Sequence, residues 1–154
     1  MNHEEYMREA LQEARIALEK GEVPVGAIVV ANGRIVGRGH NQRETKHDPT
    51  AHAEIIALRQ AGETQKGWRL AGAVLYVTLE PCPMCAGAML QSRIERLVYG
   101  TDDAKAGSAG TLLNILQFPG FNHHVKITGG ILASEAAELL RDFFERRRTQ
   151  NREI

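Results

Sequence analysis

A strand–helix–strand run between residues 73 and 100 limits the architecture more than any other stretch of this chain. "AVLYVTL" (73–79) is rich in β-branched and aliphatic residues and sits between Gly72 and Pro81. "PMCAGAMLQSR" (83–93) reads as a helix with Pro83 suited to its first turn, and "RLVYG" (96–100) reads as a second strand. Two strands joined at this spacing through a helix form a βαβ unit, so the pair is parallel. The chain therefore belongs among α/β folds.

The flanking segments fit around that unit. Residues 4–19 read as a helix with Met7, Leu11, Ala14 and Leu18 on one face, and Gly21 lies just past its end. "VGAIVVANGRIVGRG" reads as a hairpin turning at Asn32-Gly33, the strongest short hairpin signal. Residues 40–50 read as a polar loop, and 51–62 as a helix capped by Thr50 and ending at Gly62. Residues 101–124 are loop-rich, with a short helix expected near Leu112–Leu116, and 124–131 form a weak strand. Leu132, Ala136, Leu139, Leu140, Phe143 and Phe144 mark an amphipathic last helix reaching Arg148. With no repeat and no linker, residues 1–154 are expected to form one domain around a mixed sheet of about five strands.

Composition narrows the setting. A chain of 154 residues can bury a core without disulfide staples. No apolar run is long enough to span a bilayer, and the charged start "MNHEEYMREALQEA" has no signal-peptide core, so a cytoplasmic protein is expected. In that compartment Cys82 and Cys85 stay reduced. Net charge is zero, but residues 141–152 hold five arginines against Asp142 and Glu145, a local site for a polyanion.

The chemistry-bearing residues fall at helix starts. Cys82 and Cys85 lie at a strand-to-helix junction, where i and i+3 share a face and the helix N-terminus favours thiolates. A redox pair, half of a metal site and two buried small residues all fit that spacing. Upstream, "TAHAEIIAL" puts His52 and Glu54 at the start of another helix. One imidazole and two thiolates leave the fourth position of a tetrahedral zinc open, the pattern of catalytic sites. Glu54 then becomes a proton carrier, although by itself a first-turn acid favoured by the helix dipole is the commoner reading. His47 supplies a rival, a closed Cys₂His₂ site in which Glu54 has no role.

H-x-E at 52–54 with P-C-x-x-C at 81–85 resembles the zinc-dependent cytidine/deoxycytidylate deaminase superfamily. "VPVGAIVV", "HDPTAHAEIIALR", "LYVTLEPCPMCAGAM", "DAKAGSAG" and "FNHHV" extend the likeness over roughly 4–148, to the bacterial tRNA adenosine deaminases. The resemblance implies a three-layer α/β/α cytidine-deaminase-like fold, one Zn²⁺ per chain held by His52, Cys82 and Cys85, and Glu54 as proton shuttle. It implies hydrolytic conversion of a wobble adenosine to inosine, a tRNA anticodon stem-loop as partner, and a homodimer without a nucleotide cofactor. It also implies substrate contacts at Asn41, at Asp103 and Lys105, at Asn122 and His123, and at Arg147 and Arg148, with Arg146 and Arg152 alongside. "PCPMC" also occurs in guanine deaminases, so guanine, cytosine or nucleoside deamination is the first alternative. A non-catalytic, zinc-stabilised RNA-binding module is the second.

Overall fold

The computed structural model describes residues 1–153, with side chains up to Asn151, so Arg152 lies outside the described side chains. Helix α1 (His3–Glu19) leads into strands β1 (Gly26–Ala31) and β2 (Arg34–His40). A short helix α2 (Arg43–Lys46) precedes α3 (Ala53–Gln65), β3 (Val74–Leu79), α4 (Pro83–Ser92) and β4 (Arg96–Thr101). A 3₁₀ turn (Ile115–Gln117), β5 (Lys126–Thr128) and α5 (Ala133–Glu153) complete the order.

The five strands form one mixed sheet in the order β2-β1-β3-β4-β5. β1 is antiparallel to β2 and β3, whereas β3, β4 and β5 run parallel. The hairpin turns as its sequence requires, with Asn32 and Gly33 both at positive φ, 52° and 74°.

Side-chain alternation builds the layers. Ala27 and Val29 of β1, Leu75 and Val77 of β3, and Leu97 and Tyr99 of β4 pack under α3 and α4. Ile28, Val30, Tyr76 and Val98 face the other way, against Met7, Ala10 and Leu11 of α1 and Ala136 of α5. The result is the expected three-layer α/β/α arrangement.

Several boundaries differ from expectation. The 40–50 segment contains α2, whose first turn is capped from a distance, as described below. α3 starts one residue past His52 and runs through Gly62 to Gln65, stopping where Lys66 turns left-handed and its N–H returns to the Glu63 carbonyl. Thr50 does not cap α3; its amide and hydroxyl both donate to Asp48. The short helix sits a few residues late as the 3₁₀ turn, and α5 runs past Arg148.

β2 lies unusually close to α3. A Cβ on Gly39 would stand 2.5 Å from the Ala53 carbonyl oxygen, and one on Gly37 would stand 2.2 Å from that of Ala57. These two positions let α3 rest directly on the sheet from Ala53 to Ala61. Gly39→Ala is therefore expected to lower unfolding free energy by about 1–3 kcal/mol through overpacking. Urea denaturation measures it, and an unchanged midpoint contradicts the close approach.

Candidate metal centre and substrate cavity

Two helix starts meet at the end of the sheet where β3 and β4 finish and β1 begins. His52 is the N-cap of α3 and Cys82 the N-cap of α4, both with extended backbone. Pro83 opens α4, which needs no amide there, and Cys85 follows within the first turn. His52 Nδ1 lies 3.7 Å from Cys82 Sγ and 3.5 Å from Cys85 Sγ. Among the described residues these three form a cluster able to hold a metal, with Cys85 buried and the other two half-buried. His47 stands outside the cluster on an exposed turn after α2, so the closed Cys₂His₂ alternative does not form.

The donor set fits zinc. With Zn–N and Zn–S bonds of about 2.05 and 2.3 Å, a tetrahedral ion holds nitrogen and sulfur about 3.6 Å apart, matching both observed separations. The electrostatics agree. The hydrogen bond from Cys85, followed by that from His52, pulls Cys82 down to about 4, whereas Cys82 and burial push Cys85 well up. Two sulfurs this close do not both carry charge by themselves. A divalent cation removes that conflict and makes both thiolates.

Glu54, in the first turn of α3, is 4% exposed and lines the adjoining cavity. Burial pushes its carboxyl up to about 7, against the opposing pull of its own backbone amide and of His52. It is poised to exchange a proton near neutrality, as an acid–base group requires.

The cavity has a volume of about 560 Å³ and takes in His52, Glu54 and Cys82 at its floor. Asn41, Asp103 and Lys105 line it. Asn41 is buried, with its Nδ2 donating to the Val23 carbonyl and its Oδ1 accepting from the Arg43 amide. Asp103 Oδ1 accepts from the amides of Lys105 and Ala106, so this carboxylate shapes its own turn.

Asn122 and His123 are not brought into this cavity. A His123 ring nitrogen bonds the Ile94 carbonyl, just before β4 begins, whereas the cavity lies beyond the other end of β4. The length of that strand separates them, roughly 20 Å at strand rise. The two arginines also part company. Arg148 borders a shallow recess with Lys105, Leu140 and Phe144, contiguous with the cavity. Arg147 stacks its guanidinium over the Phe143 ring at 5.3 Å.

Sequence reasoning missed Arg43 and Phe144, which both line the cavity. Phe144 carried a signal. Adjacent helical residues point about 100° apart, so Phe143 and Phe144 meet the core at different angles. Phe143 is 6% exposed in the core, and Phe144 is 44% exposed over the cavity.

In layering and donor set this is the cytidine-deaminase architecture, a class of zinc-dependent hydrolytic deaminases. Comparison with known proteins narrows it. The family model described as MafB19-like deaminase matches residues 1–148. The tRNA-specific adenosine deaminase of Bacillus subtilis (strain 168) is 50% identical over 147 residues, covering 96% of this chain and 91% of that protein. A structure solved in work on A-to-I editing by tRNA:A34 deaminases at the wobble position of transfer RNA shares a TM-score of 0.85 and 45% identity. It covers 88% of this chain and 99% of its own. A guanine deaminase from Bacillus subtilis is more distant, with a TM-score of 0.65, 37% identity, and 72% and 71% of the two chains covered. The chain belongs to the tRNA-specific adenosine deaminase family, within the MafB19-like deaminases.

Cys82→Ala is expected to drop bound zinc from one per chain to well below half, because two donors do not hold the ion as three do. Glu54→Ala should keep zinc near one. Metal analysis of dialysed protein checks both, and loss of zinc in Glu54→Ala makes Glu54 a ligand instead.

Proposed function

We propose that this protein hydrolyses the wobble adenosine of a tRNA anticodon to inosine, releasing ammonia. The carrying observation is Glu54, buried beside the His52, Cys82 and Cys85 cluster in a cavity that Asn41, Arg43, Asp103 and Lys105 line together with the apolar Leu140 and Phe144. His52, Cys82 and Cys85 are the residues that would hold zinc, which when bound supplies Lewis-acid activation of water. Glu54 accepts one proton of the attacking water and passes it to the purine ring nitrogen, then carries the second, from the hydroxyl now on C6, to the departing amino group as the carbonyl forms.

Asn41 offers its remaining donor and acceptor capacity to the base edge or ribose. Asp103 holds the turn that presents Lys105, and Lys105, Arg43 and Arg148 set positive charge around the mouth for flanking phosphates. A target base in an anticodon loop is already single-stranded, so moving it into the cavity costs little unstacking. Asn122 and His123, remote from the cavity, are assigned contacts with RNA away from the target base.

Residues 1–154 form one deaminase domain on this reading, acting in the cytoplasm. No helix among the described residues is long and apolar enough to cross a membrane. A homodimer is part of the proposal. Trp68, 65% exposed, borders a groove of about 870 Å³ with Ile55, Leu58 and Leu70, an apolar surface suited to a second copy. Sedimentation of the protein as a monomer at micromolar concentration would remove that part.

An anticodon stem-loop, guanine and cytidine offered separately test the reaction. Inosine is expected in the stem-loop, and Glu54→Ala should slow it by about 10²–10⁴-fold or more, the usual worth of a general acid–base group. Turnover of guanine with an inert stem-loop overturns the reading in favour of a free-base deaminase.

The two arginines give a second prediction. Arg148→Ala should weaken stem-loop binding and reduce the salt slope by about one counterion. Arg147→Ala should leave the slope unchanged, because its guanidinium stacks on Phe143. Equal slopes for Arg148→Ala and wild type would remove the phosphate role.

A further inference from the structure

Two buried carboxylates beside the cavity take no part in the chemistry above. Glu22 is 1% exposed and Glu80 is 2% exposed. Both are spent on loop backbone. Glu22 accepts from the amide of Glu44 at 3.1 Å, the amide of Thr45 at 2.7 Å and the Thr45 hydroxyl at 2.6 Å. These donors lie in the first turn of α2, where the N-cap Gln42 makes no side-chain cap of its own. Glu22 therefore caps α2 from more than twenty residues away. The segment so held carries Asn41 and Arg43.

Glu80 does the same on the opposite side. Its Oε1 accepts from the Asp103 amide at 3.0 Å and from the Thr111 hydroxyl. Its Oε2 accepts from the amides of Ala109 at 3.0 Å and Thr111 at 3.1 Å. The loop from 102 to 111 winds around this carboxylate so tightly that a Cβ on Gly107 would stand 2.5 Å from Oε1. That loop carries Asp103 and Lys105.

A carboxylate buried without partners is strongly unfavourable, and one receiving three or four hydrogen bonds is stable and stiff. Burial pushes Glu22 upward, and the bonds from Thr45 and Glu44 outweigh it and hold it below the usual carboxylate range. An amide cannot substitute, because its NH₂ would face N–H donors.

We propose that Glu22 and Glu80 are paired positioning residues for the RNA substrate, each fixing one wall of the cavity: Glu22 the wall of Asn41 and Arg43, Glu80 the wall of Asp103 and Lys105. This rests on the tRNA reading of the site. Each carboxylate acts only through its own loop, so the two walls loosen independently. Neither group touches the reacting atoms, so its loss weakens binding and spares the chemical step.

Glu22→Gln and Glu80→Gln in the full zinc-loaded chain test this with two readouts. On the anticodon stem-loop each should raise KM about tenfold with kcat within about threefold of wild type, the signature of lost binding. By amide hydrogen exchange, Glu80→Gln should speed exchange at Asp103, Ala109 and Thr111 while Glu44 and Thr45 keep wild-type rates. Glu22→Gln should do the reverse. Loosening of both loops together, no loosening in the assigned loop, or a collapse of kcat at unchanged KM each overturns the proposal. Should either glutamine variant fail to fold, Thr111→Val and Thr45→Val each remove one hydroxyl donor and should give the same segregated pattern, smaller in size. A wild-type protein inert on the stem-loop sinks the tRNA reading alone, since the exchange pattern still decides whether the two clamps exist.

Discussion

The structure depends on two helices beginning at the same buried point. α3 starts at His52 and α4 at Cys82, and each helix start carries about half a positive charge. Two such ends repel unless anionic charge lies between them, and here Cys82, drawn toward thiolate, supplies it. The rest of the fold secures this meeting. Gly37 and Gly39 let α3 rest on β2 with no side chain between them. The crossover from β3 to β4 lays α4 beside α3 in the same layer. One layer therefore holds the chemistry, and the cavity opens at the end of the sheet beside it.

The other layer supplies the substrate side. α5 packs on β4 through Ala136 and then reaches the cavity with Leu140 and Phe144. Charge is distributed to match. The acidic excess of α1 is partly absorbed within the protein, because Glu9 and Glu13 bind Arg38, and Glu13 also meets His40. Lys105 and Arg148 border the cavity and its recess. These cations stand beside Asp102 and Asp103, so the cavity mouth carries charge of both signs.

What was legible in the sequence was whatever local pattern determines. Strand alternation, the Asn32-Gly33 turn, the βαβ crossover and the two helix starts all follow from neighbours within a few residues, and all appear in the fold. The cluster was legible because HAE and PCPMC each place donors at a helix start, and the family resemblance implies that those starts converge on one zinc ion. Distance along the strands was not legible. "FNHHV" reads as part of the same motif set, yet His123 lands at the far end of β4. Nor were the roles of Glu22 and Glu80. Each looks like an ordinary surface acid beside a turn or a strand, and its work lies in backbone amides more than twenty residues away. α2 went unseen for the same reason, because its cap lies outside its own segment.

The adjacent pair Phe143 and Phe144 has a consequence for how this protein can vary. One ring belongs to the core and its neighbour to the cavity, so α5 has a phase as well as a length. Adding or removing a single residue between Ala136 and Phe143 would rotate everything beyond it by about 100°. The core ring would swing outward and the cavity would gain a different side chain. Point substitutions along this stretch can be absorbed one at a time, but a change of one in its length alters packing and substrate wall together. The length of this stretch is therefore a structural requirement in its own right.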